Sequence, residues 1–280
     1  MRRLLRTPSG WSVSDGTGTG ALPTGTTLGG LLGGSAEEFG AALAAVDLSS
    51  GVPESLLAPV DDDTEVWAAG VTYEVSREAR MEESDDADVY ARVYEADRPE
   101  LFFKSIGHRV RGPAQPIGVR EDSTWDVPEP ELAVVCTAGG EIAGYTIVDD
   151  VSSRSIEGEN PLYLPQAKTY HGSCAAGPWI VPAAEVPDPY ALAISVTIHR
   201  GGALRWSGET STARLHRRLA DLVSWLYRGD CYPRGAVLAT GTSAVPGAEF
   251  TLEEGDEVTI SIEGIGTLRN PVQRGRSPFC

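Results

Sequence analysis

The stretch Trp125-Asp126-Val127-Pro128-Glu129-Pro130-Glu131-Leu132-Ala133-Val134-Val135 decides how this chain folds. Proline disfavours helix for itself and for the residue before it, so Glu129-Pro130-Glu131 is extended. In an extended chain residues i and i+2 point to the same face, so the two carboxylates project side by side. Leu132 to Val135 reads as the strand entering a core, and Gly139-Gly140 turns the chain back. Gly144 to Val148 is the returning strand, ending at Asp149-Asp150. Such a hairpin brings a third carboxylate to the first two. Repulsion among them calls for a cation, and hard oxygen ligands suit Mg²⁺, Mn²⁺ or Ca²⁺. The alternative is a solvated acidic edge strand.

The residues around this hairpin narrow the choice. Asp150-Val151-Ser152-Ser153-Arg154 is followed by Glu159-Asn160-Pro161-Leu162-Tyr163-Leu164-Pro165-Gln166-Ala167-Lys168. These motifs resemble the fumarylacetoacetate hydrolase family, and within it the branch that dehydrates 2-keto-3-deoxy-D-arabinonate. The resemblance spans about Val66 to Val272. It implies a mixed α+β, mainly β fold, a β-roll domain over residues 61–272, with a small N-terminal region over 1–60 and a tail over 273–280. It implies Glu129, Glu131 and Asp150 as metal ligands, with Mg²⁺ as the ion and Mn²⁺ or Ca²⁺ as substitutes.

Further residues acquire expected roles from the same resemblance. Lys168 is placed at the substrate, either pairing with its carboxylate or doing acid–base work, or else it forms a salt bridge to one of the metal-site carboxylates. Glu100 and Lys104 lie in Pro99-Glu100-Leu101-Phe102-Phe103-Lys104, similar to the family element that lines the metal site. Glu100 is a candidate acid or base and Lys104 a candidate substrate contact. Thr242, in Thr240-Gly241-Thr242-Ser243, matches a threonine that bonds the substrate carboxylate. Glu157, seven residues after Asp150, matches a polar position near the metal-bound ligand. Many hydrolases and decarboxylases of the family carry a His three residues after the equivalent of Tyr73; here that position is Ser76, counted with the substrate site. Its absence argues against C–C hydrolysis and agrees with the dehydratase branch. Arg77 is a candidate clamp for a substrate carboxylate through its bidentate fork, or else a surface ion-pair partner of Glu74 or Glu78.

Composition bounds the reading further. With 280 residues the chain can bury a large core. A formal net charge of −17 argues against nucleic acid or anionic membrane as partner. The 32 glycines and 19 prolines favour a turn-rich β fold over a helical bundle. The four cysteines form no C-x-x-C pair, so zinc ribbon and thioredoxin readings fail and free thiols in a reducing compartment are expected. No secretory signal or membrane-spanning run is read, so a cytoplasmic location is expected.

Local signals complete the chain. Ser35 with Glu38 reads as a capping box before Phe39, Ala42, Leu43 and Val46. The run Asp61-Asp62-Asp63 reads as a solvated linker. Thr212 is a candidate cap for a helix carrying Leu215, Leu219, Leu222, Val223 and Leu226 at helical spacing. Exposed edges of such a fold are commonly covered by self-association, and the resemblance implies a homodimer or a dimer of dimers. The expected reaction is loss of water from a 2-keto-3-deoxy sugar acid through a metal-stabilised enolate, giving a 2-oxo acid semialdehyde. The alternatives are another reaction of the same family (decarboxylation, isomerisation, or hydrolysis of a diketone, in sugar catabolism or secondary metabolism) and a noncatalytic metal- or metabolite-binding protein.

Overall fold

A strand that is apolar at every position, as Leu132 to Val135 is, must be covered on both faces. The structure is a computed structural model that describes residues 1–51, 55–73 and 92–276, and it shows both covers. The N-terminal strands are β1 (Arg3–Thr7), β2 (Gly10–Ser14), β3 (Gly18–Ala21) and β4 (Ser49–Ser50). Then come β5 (Glu65–Gly70), β6 (Glu100–Ile106), β7 (Ile117–Val119), β8 (Asp126–Val127), β9 (Pro130–Cys136), β10 (Ile142–Asp150), β11 (Ser152–Ser153) and β12 (Cys174–Pro182). The chain closes with β13 (Ala193–Arg200), β14 (Ala203–Ser211), β15 (Ala236–Ala239), β16 (Asp256–Ile262) and β17 (Gly266–Arg274).

Ten strands form one sheet in the order β4-β3-β2-β1-β12-β10-β9-β15-β5-β6. Five more form a second, β14-β13-β16-β17-β7. On one face of the large sheet Leu132, Val134 and Cys136 join Ile147, Leu238 and the second sheet's Val258, Ile260 and Leu268. On the other face Ala133 and Val135 meet Leu4, Val13, Leu28, Phe39 and Leu43 from the N-terminal region. Two helices lie in that region, Leu28–Leu31 and Ala36–Ala44, and the second has the expected capping box: Glu38 N–H donates to Ser35 Oγ (3.1 Å) and Ser35 N–H to Glu38 Oε2 (2.8 Å).

The N-terminal region shares the large sheet. Strand β1 pairs with β12 at Leu4–Ile180, which carries β1 to β4 into the large sheet. Asp61 is not solvated either; it is buried and its Oδ2 accepts from Gly29 N–H at 2.9 Å, while Asp62 and Asp63 stay exposed. The amphipathic helix begins later than the spacing suggests, at Leu219, and runs to Gly229. Thr212 instead turns into the core, where its Oγ1 accepts from Leu192 N–H, and Leu215 bridges to Tyr73. At the far end β17 continues through Arg274, paired with Val119, so the last strand passes the position read as the start of a tail. Among the described residues no helix is long and apolar enough to cross a membrane.

Because the N-terminal side chains are one cover of β9, they should unfold with it. Phe39→Ala should cost about 3–5 kcal/mol, seen as an earlier urea midpoint in a single transition by tryptophan fluorescence and far-UV circular dichroism. Separate transitions for the two probes would contradict a shared core.

Candidate active site

Four neighbouring strands of the large sheet end together. The start of β9, the end of β10, the end of β15 and the end of β5 all lie on one edge, as their registers require. In the β9–β10 hairpin Glu131 stands opposite Val148, and Asp150 N–H donates to Glu129 O (3.0 Å). Directly opposed residues share a face. Glu129, Glu131 and Asp150 thus converge, with one oxygen from each within 4.8 Å of the others, all three buried. A cavity of about 520 Å³, counting its open mouth, lies over them. Its polar wall is Glu129, Glu131, Asp150, Arg154, Lys168 and Thr242; Val71, Phe102 and Val245 form an apolar one.

Cations hold two of the three carboxylates. Lys168 ends the short helix Leu164–Lys168 and is 1% exposed. Its Nζ donates to Glu129 Oε2 (2.8 Å), Asp150 Oδ2 (3.2 Å) and Ser152 Oγ (2.5 Å). Arg154 Nη2 lies 2.9 Å from Glu129 Oε1, and Lys104 Nζ 2.5 Å from Asp150 Oδ1. Glu131 differs: among the described residues no cation comes within ion-pair distance of it, and its Oε2 accepts only the Gly241 N–H at 2.6 Å. Burial first, then repulsion from Asp150 and Glu129, push its carboxyl well above the ordinary range. A divalent cation held by these three acids would supply the missing counter-charge, and an all-carboxylate donor set suits a hard ion. The residues present therefore fit such an ion.

The backbone is shaped for this wall. Gly241 has φ +91°, and a Cβ there would sit 2.0 Å from Thr72 Oγ1, itself bonded to Thr240 O (2.6 Å). Only glycine lets the amide reach Glu131. Val71, a β-branched residue, adopts φ +53° in the cavity wall, a conformation that stores strain.

The family described as fumarylacetoacetate (FAA) hydrolase C-terminal matches residues 65–273. The chain belongs to the fumarylacetoacetate hydrolase family. It is 55% identical over 214 residues to a probable 2-keto-3-deoxyxylonate dehydratase of Haloferax volcanii, covering 76% of this chain and 73% of that one. It is 46% identical over 219 residues to a 2-dehydro-3-deoxy-D-arabinonate dehydratase of Saccharolobus solfataricus, covering 77% and 74%. A solved structure of 2-keto-3-deoxy-D-arabinonate dehydratase complexed with magnesium and 2,5-dioxopentanoate superposes with a TM-score of 0.83 at 35% identity, over 98% of each chain.

Within this fumarylacetoacetate hydrolase fold the expected residues are distributed unevenly. Glu129, Glu131, Asp150, Lys168 and Thr242 meet at the cavity. Lys104 lies behind it, fully buried and outside its lining. Glu157 is buried against Arg154 (3.8 Å) and does not line the cavity. Glu100 stands opposite Gly70 in the β5–β6 pairing, its carboxylate packed over the place a Gly70 Cβ would fill. Ser76 and Arg77 lie outside the described residues. Three participants carried no assigned role in the sequence: Arg154, Ser152 and the Gly241 amide. An arginine four positions after an aspartate expected to bind metal is the readable signal for the first; the other two depend on tertiary contact alone.

The same stretch holds a titratable group off the cavity. Asp126 is fully buried, and burial raises its carboxyl from 3.8 to about 6 against weaker opposing effects from Ser123 and Arg274. An acid whose pKa is higher folded than unfolded stabilises the fold while protonated. That contribution is whole below the unfolded pKa and is lost as pH rises to about 6. From pH 4 to 6 the wild type should lose stability relative to Asp126→Asn, read from urea midpoints; parallel profiles would show that Asp126 titrates normally.

Proposed function

We propose that this protein is a Mg²⁺-dependent dehydratase of a 2-keto-3-deoxy sugar acid, yielding a 2-oxo acid semialdehyde. The observation that carries the reading is the buried Glu129–Glu131–Asp150 cluster with Lys168 bonded across two of its members. The dehydratases at 55% and 46% identity, and the neighbour complexed with magnesium and 2,5-dioxopentanoate, support the choice of substrate and ion.

Glu129, Glu131 and Asp150 would hold the ion, which when bound supplies a Lewis acid for negative charge developing at the 2-oxo oxygen. The chain's own residues do the rest. Lys168 Nζ sits at the cavity floor, within reach of a substrate held against the carboxylates. Held as ammonium against Glu129 and Asp150, it gives a proton to the departing C4 hydroxyl, and the amine so formed takes up the C3 proton. Loss of C3–H and C4–OH as water leaves a C3=C4 double bond, and proton shifts convert the remaining C5 alcohol to the aldehyde. Thr242 and Arg154, both in the wall, offer donors to the substrate carboxylate. Val71, Phe102 and Val245 face the substrate's carbon chain and exclude water. Glu100, behind Gly70, is a less direct acid–base group.

We further infer a homodimer or homotetramer, since among the described residues β6 and β14 stand at the edges of their sheets, and a place in carbohydrate catabolism in the cytoplasm, where the free thiols Cys136, Cys174 and Cys231 stay reduced. Turnover of 2-keto-3-deoxypentonates, followed by mass spectrometry for loss of one water, tests the reaction. EDTA should abolish it and Mg²⁺ restore it. Lys168→Met should lower kcat about 10²–10⁴-fold. Dehydration that proceeds unchanged in EDTA would sink the proposal.

A further inference from the structure

Resemblance puts Lys104 among the groups that meet substrate, but its surroundings point elsewhere. Its side chain is fully buried and absent from the cavity lining. An ammonium has three N–H donors, and three acceptors are already in place. Asp150 Oδ1 lies at 2.5 Å, Val151 O at 3.0 Å and Lys168 O at 2.5 Å. Lys168 Nζ also meets three acceptors, but it lines the cavity and Lys104 does not, so none of the Lys104 donors faces a substrate atom.

What those acceptors belong to is informative. Asp150 closes β10, Val151 is the next residue, and Lys168 ends the helix Leu164–Lys168. The Lys168 carbonyl is a helix-terminal acceptor without an intrahelical partner, which a cation satisfies well. Ser173 Oγ supplies its second donor at 2.9 Å. One ammonium on β6 therefore fixes a carboxylate on one element and the main chain beneath an amine on another, bridging 46 and 64 residues of sequence. Both groups it fixes must be in register for Lys168 Nζ to reach Glu129 and Asp150 at 2.8 and 3.2 Å.

We propose that Lys104 is a positioning residue, which sets the Asp150 carboxylate and the Lys168 backbone in register and makes no contact with substrate. This rests on the metal-assisted dehydration proposed above. A substrate contact and a positioning group differ in what their loss changes. The first raises KM; the second disturbs the ion site and the chemical step and leaves substrate affinity alone.

The test compares wild type with Lys104→Met, which keeps the length of the stem and removes the donors. Mn²⁺ binding is read by the electron paramagnetic resonance of free Mn²⁺, apart from any turnover. Loss of an outer partner of a ligand should weaken it about 10–100-fold. At saturating Mg²⁺, kcat should fall by a similar factor while KM stays within about threefold. Lys104→Gln, which keeps donors for the two carbonyls and removes the charge at Asp150, is the companion if Lys104→Met lacks a wild-type melting transition; it should show the same split to a smaller extent. A KM raised tenfold or more with Mn²⁺ affinity unchanged would overturn the proposal, as would variants identical to wild type in all three quantities. A wild type that binds no Mn²⁺ and turns over nothing would instead overturn the dehydratase reading, so the two failures are told apart.

Discussion

Withdrawing Glu129, Glu131 and Asp150 from water is the constraint to which the rest of this structure answers. An isolated ion in a protein interior carries a penalty of several kcal/mol even after relaxation. Here three carboxylates and three cations, Lys104, Arg154 and Lys168, are each 5% exposed or less. They persist because each charge lies against an opposite one, with Glu131 as the exception. That asymmetry gives the cluster a direction. The side served by lysine and arginine is structurally closed, and the side at Glu131 invites a cation from solution.

The scaffold meets this constraint by being rigid where the charges stand. Strand β9 is sealed between two apolar layers, one from the second sheet and one from residues 4–43. Its first residues can then carry acids only because it runs out of the core at that end, beside three other strand ends. Left-handed backbone at Val71 and Gly241 bends the ends of β5 and β15 over the acids. Val71 gains nothing locally from that conformation, so its neighbours must impose it.

What could be read from the sequence follows from the range of the interactions. The Glu-Pro-Glu pair and its hairpin partner Asp150 were legible because proline, alternation and a Gly-Gly turn are local rules. The family motifs carried the reading on to Lys168 and Thr242. Contacts that span sheet layers were not legible. Nothing near Lys104 signals that its three donors are taken by residues 46 or more positions away. Asp61 looked solvated because it sits in an acidic run, yet a helix-start amide from Gly29 claims it. Thr212 fits a capping pattern, but the pull of the core on its side chain outweighed it. The N-terminal segment has no chemistry of its own, and its role as a cover for β9 could not be seen until β1 was placed beside β12.

The cavity's two walls come from different parts of the chain. The charged wall is one hairpin plus the segment that follows it, whereas the apolar wall is contributed by Val71 just past β5, Phe102 within β6 and Val245 in the loop after β15, all distant from it in sequence. A change in the second wall alters the shape offered to a ligand and leaves the acids and their counter-ions in place. The two can therefore drift at different rates in descent. A lineage could keep its ion-holding hairpin intact while trading one oxo-acid for another, each step passing through a protein that still folds.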